Sequence, residues 1–217
     1  MVFKRRKRFK EKSLITHTAP NCKIAEQYRT IRTNLQFSSI IRKDQTLVIT
    51  SPNCGEGKST VTANLAVSIA GQEEKVLVID ASLRSPSIHS IFHLENDIGL
   101  TTILIGRSTL EKAVKKTEVE NLYVLTSGPI PFNPAELLSS EAMGILIKQA
   151  VEQYDIILFD SPSVLEVSDT SILSDQCDGV LLVVSCHHTA TESALEAKRI
   201  LGFTKGRLVG AILNEKT

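Results

Sequence analysis

LVITSPNCGEGKST, residues 47–60, passes from β-forming residues through two glycines into Lys-Ser-Thr, and its reading decides the fold of this chain. A Gly-Lys-Ser run behind a strand and at the start of a helix is the setting that a phosphate-binding P-loop requires. Glycines let backbone N–H groups turn inward with no Cβ in the way. The helix N-terminus adds a dipole that favours anions. Candidate phosphate-binding residues are therefore Cys54, Gly55, Glu56, Gly57, Lys58, Ser59 and Thr60. In this role Lys58 reaches the β- and γ-phosphates and Ser59 ligates Mg2+. Pro52 stands where such loops carry a small residue; lacking an N–H and fixed in φ, it alters the mouth of the loop.

Outward from this loop the chain alternates regularly. Apolar runs at 46–50, 75–80, 121–126, 155–160, 179–185 and 207–214 read as strands buried on both faces. Amphipathic segments at 58–71, 134–153 and 190–203 read as helices, and a further helix is expected over about 24–39. Strand–helix alternation at this spacing predicts an α/β fold. It is a doubly wound, mostly parallel sheet with helices on both faces, the P-loop NTPase architecture. Pro and Gly in 127–136 mark a loop that places Asn133-Pro134 at a helix start.

The 217 residues suit one α/β domain, with 42% hydrophobic and 23% charged residues, as in ordinary globular proteins. Net charge is only +1, yet the first twelve residues hold seven Lys/Arg against one Glu, leaving the rest at −5. Residues 1–20 are therefore expected to form a basic, flexible arm, with a single P-loop domain over 21–217. That arm is either a solvated terminus or a contact for anionic lipid, nucleic acid or an acidic protein face. No apolar run approaches the roughly 20 residues of a membrane span, and no signal-peptide pattern follows the basic start. Cys22, Cys54, Cys177 and Cys186 lack paired or metal-like spacing, which suits a reducing, cytoplasmic setting.

Two acidic residues close predicted strands. Asp160 ends DIILFD, where a carboxylate either holds a metal-bound water or caps the next turn. Asp80 ends KVLVID, with Arg84 four residues on. Strand carboxyl ends gather round the ligand crevice of an open parallel sheet. A carboxylate there can orient or deprotonate an attacking hydroxyl, which moves the expectation from binding towards transfer.

With EQYRTIRTN, GEGKST, LVIDASLR, TSGPIPFNPAELLSS, ILFDSP and GAILN on one chain, the sequence resembles the bacterial tyrosine kinases of the CpsD/CapB type, a branch of the MinD/ParA-like P-loop ATPases. The resemblance runs from about Ile24 to Asn214. It implies ATP and Mg2+ as cofactors, with Lys58, Asp80 and Asp160 catalytic and Ser59, Asp80, Ser82 and Asp160 around the metal. Arg84 is placed with the nucleotide. Asn214 is either an adenine contact or a strand cap. Ser82 replaces a second aspartate of the family's motif, and Pro162-Ser163 replaces a Pro-Pro pair. A neutral hydroxyl is a weaker metal ligand than a carboxylate.

In that family an E-x-x-R-x-x-R helix, here Glu26, Arg29 and Arg32, docks between subunits of a ring, often an octamer. Fork-shaped guanidinium groups suit such pairs. The implied partners are a membrane-anchored activator, a polysaccharide co-polymerase with a cytoplasmic segment, and protein tyrosine substrates; nucleic acid is not expected. Localisation follows as cytoplasmic and peripheral at the inner membrane. Family members usually end in a tyrosine cluster, whereas Tyr28, Tyr123 and Tyr154 all fall in predicted elements. Three readings stay open: a tyrosine kinase regulating capsule or exopolysaccharide synthesis, a weakened ATP-binding regulatory subunit, and a MinD/ParA-like ATPase.

Overall fold

The computed structural model describes residues 14–37, 45–186 and 188–215. Most of the predicted arm, residues 38 and 39 of the predicted first helix, and His187 lie outside these. Seven strands form one sheet: β1 (Thr46–Thr50), β2 (Val76–Asp80), β3 (Lys115–Lys116), β4 (Leu122–Leu125), β5 (Ile156–Asp160), β6 (Gly179–Ser185) and β7 (Arg207–Asn214). Their order is β3-β4-β2-β5-β1-β6-β7, and only the β3–β4 pairing is antiparallel. The doubly wound, mostly parallel sheet expected from the sequence is therefore present. The six predicted strands end within a residue of their predicted bounds.

Side chains alternate across the sheet, so both faces are apolar. Leu47, Ile49, Val76, Val78 and Leu158 enter one core, against helices α2 (Lys23–Phe37) and α3 (Lys58–Ala70). Val48, Leu77, Ile79, Ile157 and Phe159 enter the other. There they meet α7 (Pro134–Leu138), α8 (Glu141–Val151), α9 (Asp169–Ser174) and α10 (Thr191–Leu201). The remaining helices are short: α1 (Ile15–Thr18), α4 (Ile88–Ile91), α5 (Leu100–Leu104) and α6 (Leu110–Ala113).

Helix α3 is buried from Val61 to Ala70 without interruption. Small residues on it, such as Ala63, Ala66 and Ser68, allow the sheet to cover one side and α1 and α2 the other. Thr16 is bound there: its N–H and hydroxyl both donate to the Asn64 side-chain oxygen, at 3.0 and 2.9 Å. This corrects the expected boundary, since residues 14–20 of the predicted arm belong to the folded domain. The predicted helix 134–153 is also divided. The hydroxyls of Ser139 and Ser140 bond the carbonyls of Glu136 and Leu137, at 3.0 and 2.7 Å, and end α7 before α8 begins.

Among the described residues Phe159 is the largest fully buried side chain, next to the last residue of β5. Phe159→Ala is expected to cost about 3–5 kcal/mol of stability, read as a lower denaturant midpoint at unchanged slope.

Candidate functional site

The carboxyl ends of β1, β2 and β5 lie side by side, and everything at the site hangs from them. Ile49 and Asp160 are partners across β1 and β5, and Asp80 and Asp160 across β2 and β5. The loop after β1 turns back through Gly55 and Gly57, with φ of +81° and +87°. At Gly57 the conformation and the space agree, because a Cβ would collide with the Asn214 side-chain amide. That amide donates to the Glu56 carbonyl at 3.0 Å, so Asn214 ties the last strand to the P-loop. Its carbonyl accepts the Cys186 N–H at 3.0 Å. Lys58, Ser59 and Thr60 open α3 and line a cavity of about 1580 Å3, with Ser82 and Asn214 also on its wall.

Glu56 is held by side chains of the protein. Its buried carboxylate accepts from Asn53 Nδ2 at 3.1 Å and Thr189 Oγ1 at 2.8 Å, which fixes the back of the loop. Cys54 is exposed and its N–H donates to Glu166 Oε1 at 2.9 Å. Of the predicted loop residues, Glu56 and Cys54 thus contribute backbone, and their visible contacts are within the protein.

Asp80 and Asp160 are both fully buried. Asp80 Oδ2 accepts the N–H groups of Ser87 and Ile88, each at 2.9 Å, and Oδ1 that of Ser82 at 3.2 Å. One carboxylate therefore organises the loop after β2. Burial, and next the Asp160 charge, push the Asp80 carboxyl up to about 7, against the pull of its three N–H donors. Thr62 Oγ1 donates to Asp160 Oδ1 at 3.4 Å. The Ser82 hydroxyl bonds the Ser85 carbonyl at 3.3 Å.

Arg84 lines the same cavity as Lys58 and also has a partner within the protein. Its Nε and a terminal nitrogen grip the two oxygens of Asp169 at 2.9 and 3.0 Å. Asp169 is buried while Arg84 is part-exposed, so the fork ties the loop after β2 to the start of α9. Asp169 and Glu166 escaped the sequence reading. Ser168-Asp169 before an apolar run is a helix-start signal that marks the first; nothing local marks the second.

On α2 the expected trio is not uniformly free. Glu26 and Arg29 pair at 2.6 Å, and Arg29 also bonds the Pro20 carbonyl at 2.5 Å. Arg32 turns towards α3 and bonds the Ser68 carbonyl at 2.6 Å. None of the three lines the cavity of the P-loop, although Gln27, Tyr28 and Ile31 of the same helix do.

The donor set fits a magnesium–nucleotide complex. Among the described residues no three His, Cys, Asp or Glu side chains gather as a metal cage. Mg2+ does not need one, since phosphate oxygens, water and one or two carboxylates complete its shell. Two buried carboxylates side by side repel each other, and a divalent ion beside them offsets that repulsion.

The family described as AAA domain matches residues 44–203. The chain is 49% identical over 206 residues to tyrosine-protein kinase YwqD of Bacillus subtilis, covering 95% of this chain and 87% of the relative. Against tyrosine-protein kinase wzc of Salmonella typhi it is 34% identical, covering 82% of this chain but 25% of that longer protein. Among solved structures, the chimerical protein CapA2B2 aligns with a TM-score of 0.90 at 38% identity, over 94% of this chain and 89% of that one. The kinase domain of Escherichia coli tyrosine kinase ETK aligns at 0.89 and 31%, over 93% and 79%. The septum site-determining protein MinD of Pyrococcus horikoshii, complexed with Mg-ADP, aligns at 0.67 and 26%, over 78% and 69%.

A raised carboxyl pKa means that the folded state binds more protons than the unfolded between about 4 and about 7. The Asp80 contribution is therefore present at acid pH and is lost as pH rises through that window. Metal-free protein should show this fall in urea titrations across the pH series. Asp160→Asn should flatten it by removing the neighbouring charge.

Proposed function

This chain belongs to the bacterial tyrosine-protein kinases built on a P-loop domain, and from that premise we propose that it transfers the γ-phosphoryl group of ATP to protein tyrosines in the control of capsule or exopolysaccharide synthesis. The observation that supports this most is the strand register that sets Asp80 beside Asp160 at the sheet edge bearing the P-loop. Backbone N–H groups of Cys54 to Thr60 cradle the phosphates, and Lys58 neutralises the β- and γ-phosphate charge. Ser59 and Asp160 would hold Mg2+, which supplies further neutralisation of charge on the phosphate oxygens when bound. The tyrosine oxygen attacks the γ-phosphorus in line, the bond to the ADP oxygen breaks, and Asp80 takes the phenolic proton. Catalysis of this kind is chiefly positioning and electrostatics.

The acceptor tyrosines are assigned to other proteins. Tyr28 is buried, and burial pushes its hydroxyl up to about 12. Tyr123 and Tyr154 pack edge to face, their ring centres 5.4 Å apart. No described helix is long and apolar enough to cross a membrane. A separate membrane protein with a cytoplasmic segment is proposed as activator; the segment of wzc that matches this chain is a quarter of that protein's length. With such a partner the chain would work in the cytoplasm, peripherally at the inner membrane. Glu26, Arg29 and Arg32 are proposed as contacts of a ring-shaped homo-oligomer. A second reading, a weakened ATP-binding regulatory subunit, is favoured by Ser82, whose hydroxyl is engaged with Ser85 where the family carries a carboxylate.

The test incubates the chain with Mg·ATP, a fragment of the activator and a tyrosine-bearing substrate, and measures phosphotyrosine by mass spectrometry. Lys58→Ala and Asp160→Asn should each lower the yield by about a hundredfold or more. Ser82→Asp should raise it. Phosphotyrosine missing from both the wild type and Ser82→Asp rejects the kinase and leaves the regulatory reading.

A further inference from the structure

The loop between β5 and α9 is laced to the first half of the P-loop. Val164 N–H bonds the Ser51 carbonyl at 2.9 Å, and Leu165 N–H bonds the Pro52 carbonyl at 3.3 Å. The third lace differs in kind: the Cys54 N–H is held at 2.9 Å by the Glu166 carboxylate. Three residues further on, Asp169 fastens the same loop to Arg84.

A P-loop amide is a group that binds anions. Here one such amide already has an anion, and it belongs to the protein. Glu166 and Cys54 both line the cavity that Lys58 and Ser59 open into. Glu166 is exposed and enters no ion pair among the described residues, so its charge is not offset by a fixed cation. A polyphosphate entering the loop meets this carboxylate as a like charge and competes with it for the Cys54 N–H. Two negative groups about 4 Å apart in a water-like dielectric, as at an exposed carboxylate, repel by an amount that changes an equilibrium about fivefold.

We propose that Glu166 sets the affinity of the nucleotide site: its carboxylate occupies the Cys54 amide and opposes incoming phosphate. This rests on the P-loop binding a nucleotide, as argued above. The opposition grows with the charge of the ligand, so it bears harder on Mg·ATP than on Mg·ADP. Glu166 is not a catalytic residue in this account. It governs how readily the site fills and empties.

Glu166→Gln keeps an oxygen that can accept from the Cys54 N–H and removes only the charge; Glu166→Ala removes both. Titration calorimetry with Mg·ATP and Mg·ADP separates the two. Both variants are expected to bind Mg·ATP about three- to tenfold more tightly than wild type, with a smaller gain for Mg·ADP. The gain should shrink at about 0.5 M salt, because the carboxylate is exposed. Glu166→Gln binding Mg·ATP no more tightly than wild type overturns the proposal, and if Glu166→Ala then binds more weakly, Glu166 is only a staple of the loop. Binding of Mg·ATP by none of the three chains overturns the nucleotide-site reading as well, so the two failures are told apart.

Discussion

Parallel pairing of β1, β5 and β2 is the constraint on which the site depends. It ends three strands at one level and brings their last residues together beside the P-loop. Asp80 and Asp160 stand opposite each other because their strands are in register, not because the two side chains attract. Their proximity is in fact unfavourable: two buried carboxylates raise each other's cost of ionising. The apolar faces of the sheet supply the compensation, since Leu47, Val48, Ile157, Leu158 and Phe159 are all fully buried. Stability gathered in the sheet holds an electrostatic strain at its rim, where a divalent cation is the complementary charge.

Helix α3 joins this rim to the outside of the molecule. Its first residues carry the P-loop lysine and hydroxyls, Thr62 touches Asp160, and Asn64 binds the chain at Thr16. Ser68 near its far end receives Arg32 from α2. A side chain expected to serve contacts between subunits is thus bonded to the same helix that begins at the phosphates.

The loops around the site are held by carboxylates. Asp80 gathers three backbone N–H groups, Asp169 grips Arg84, Glu56 braces the back of the P-loop and Glu166 takes the Cys54 N–H. Three of these four are buried; Glu166 is exposed, and it alone faces the path of a ligand on an amide of the P-loop. Burial separates carboxylates that keep the loops in shape from one that an incoming anion can displace.

The strands, the P-loop and the two acidic strand ends were legible in the sequence, because each is written in local periodicity or spacing. Gly55 and Gly57 announce a turn, and Asp80 and Asp160 each close an apolar run. Segments of four to six residues, such as α4, α5, α6 and α9, carry too few positions for a period to show, and β3 has two residues. The division of 134–153 was missed because Ser139 and Ser140 interrupt an otherwise continuous helical pattern with hydroxyl-to-carbonyl bonds. Partners distant in sequence were decided only by the tertiary structure: Arg84 with Asp169, Asn214 with Glu56, Cys54 with Glu166. Residue type tells which groups can bond, but strand order and register decide which of them meet, and those follow from burying both faces of the sheet at once.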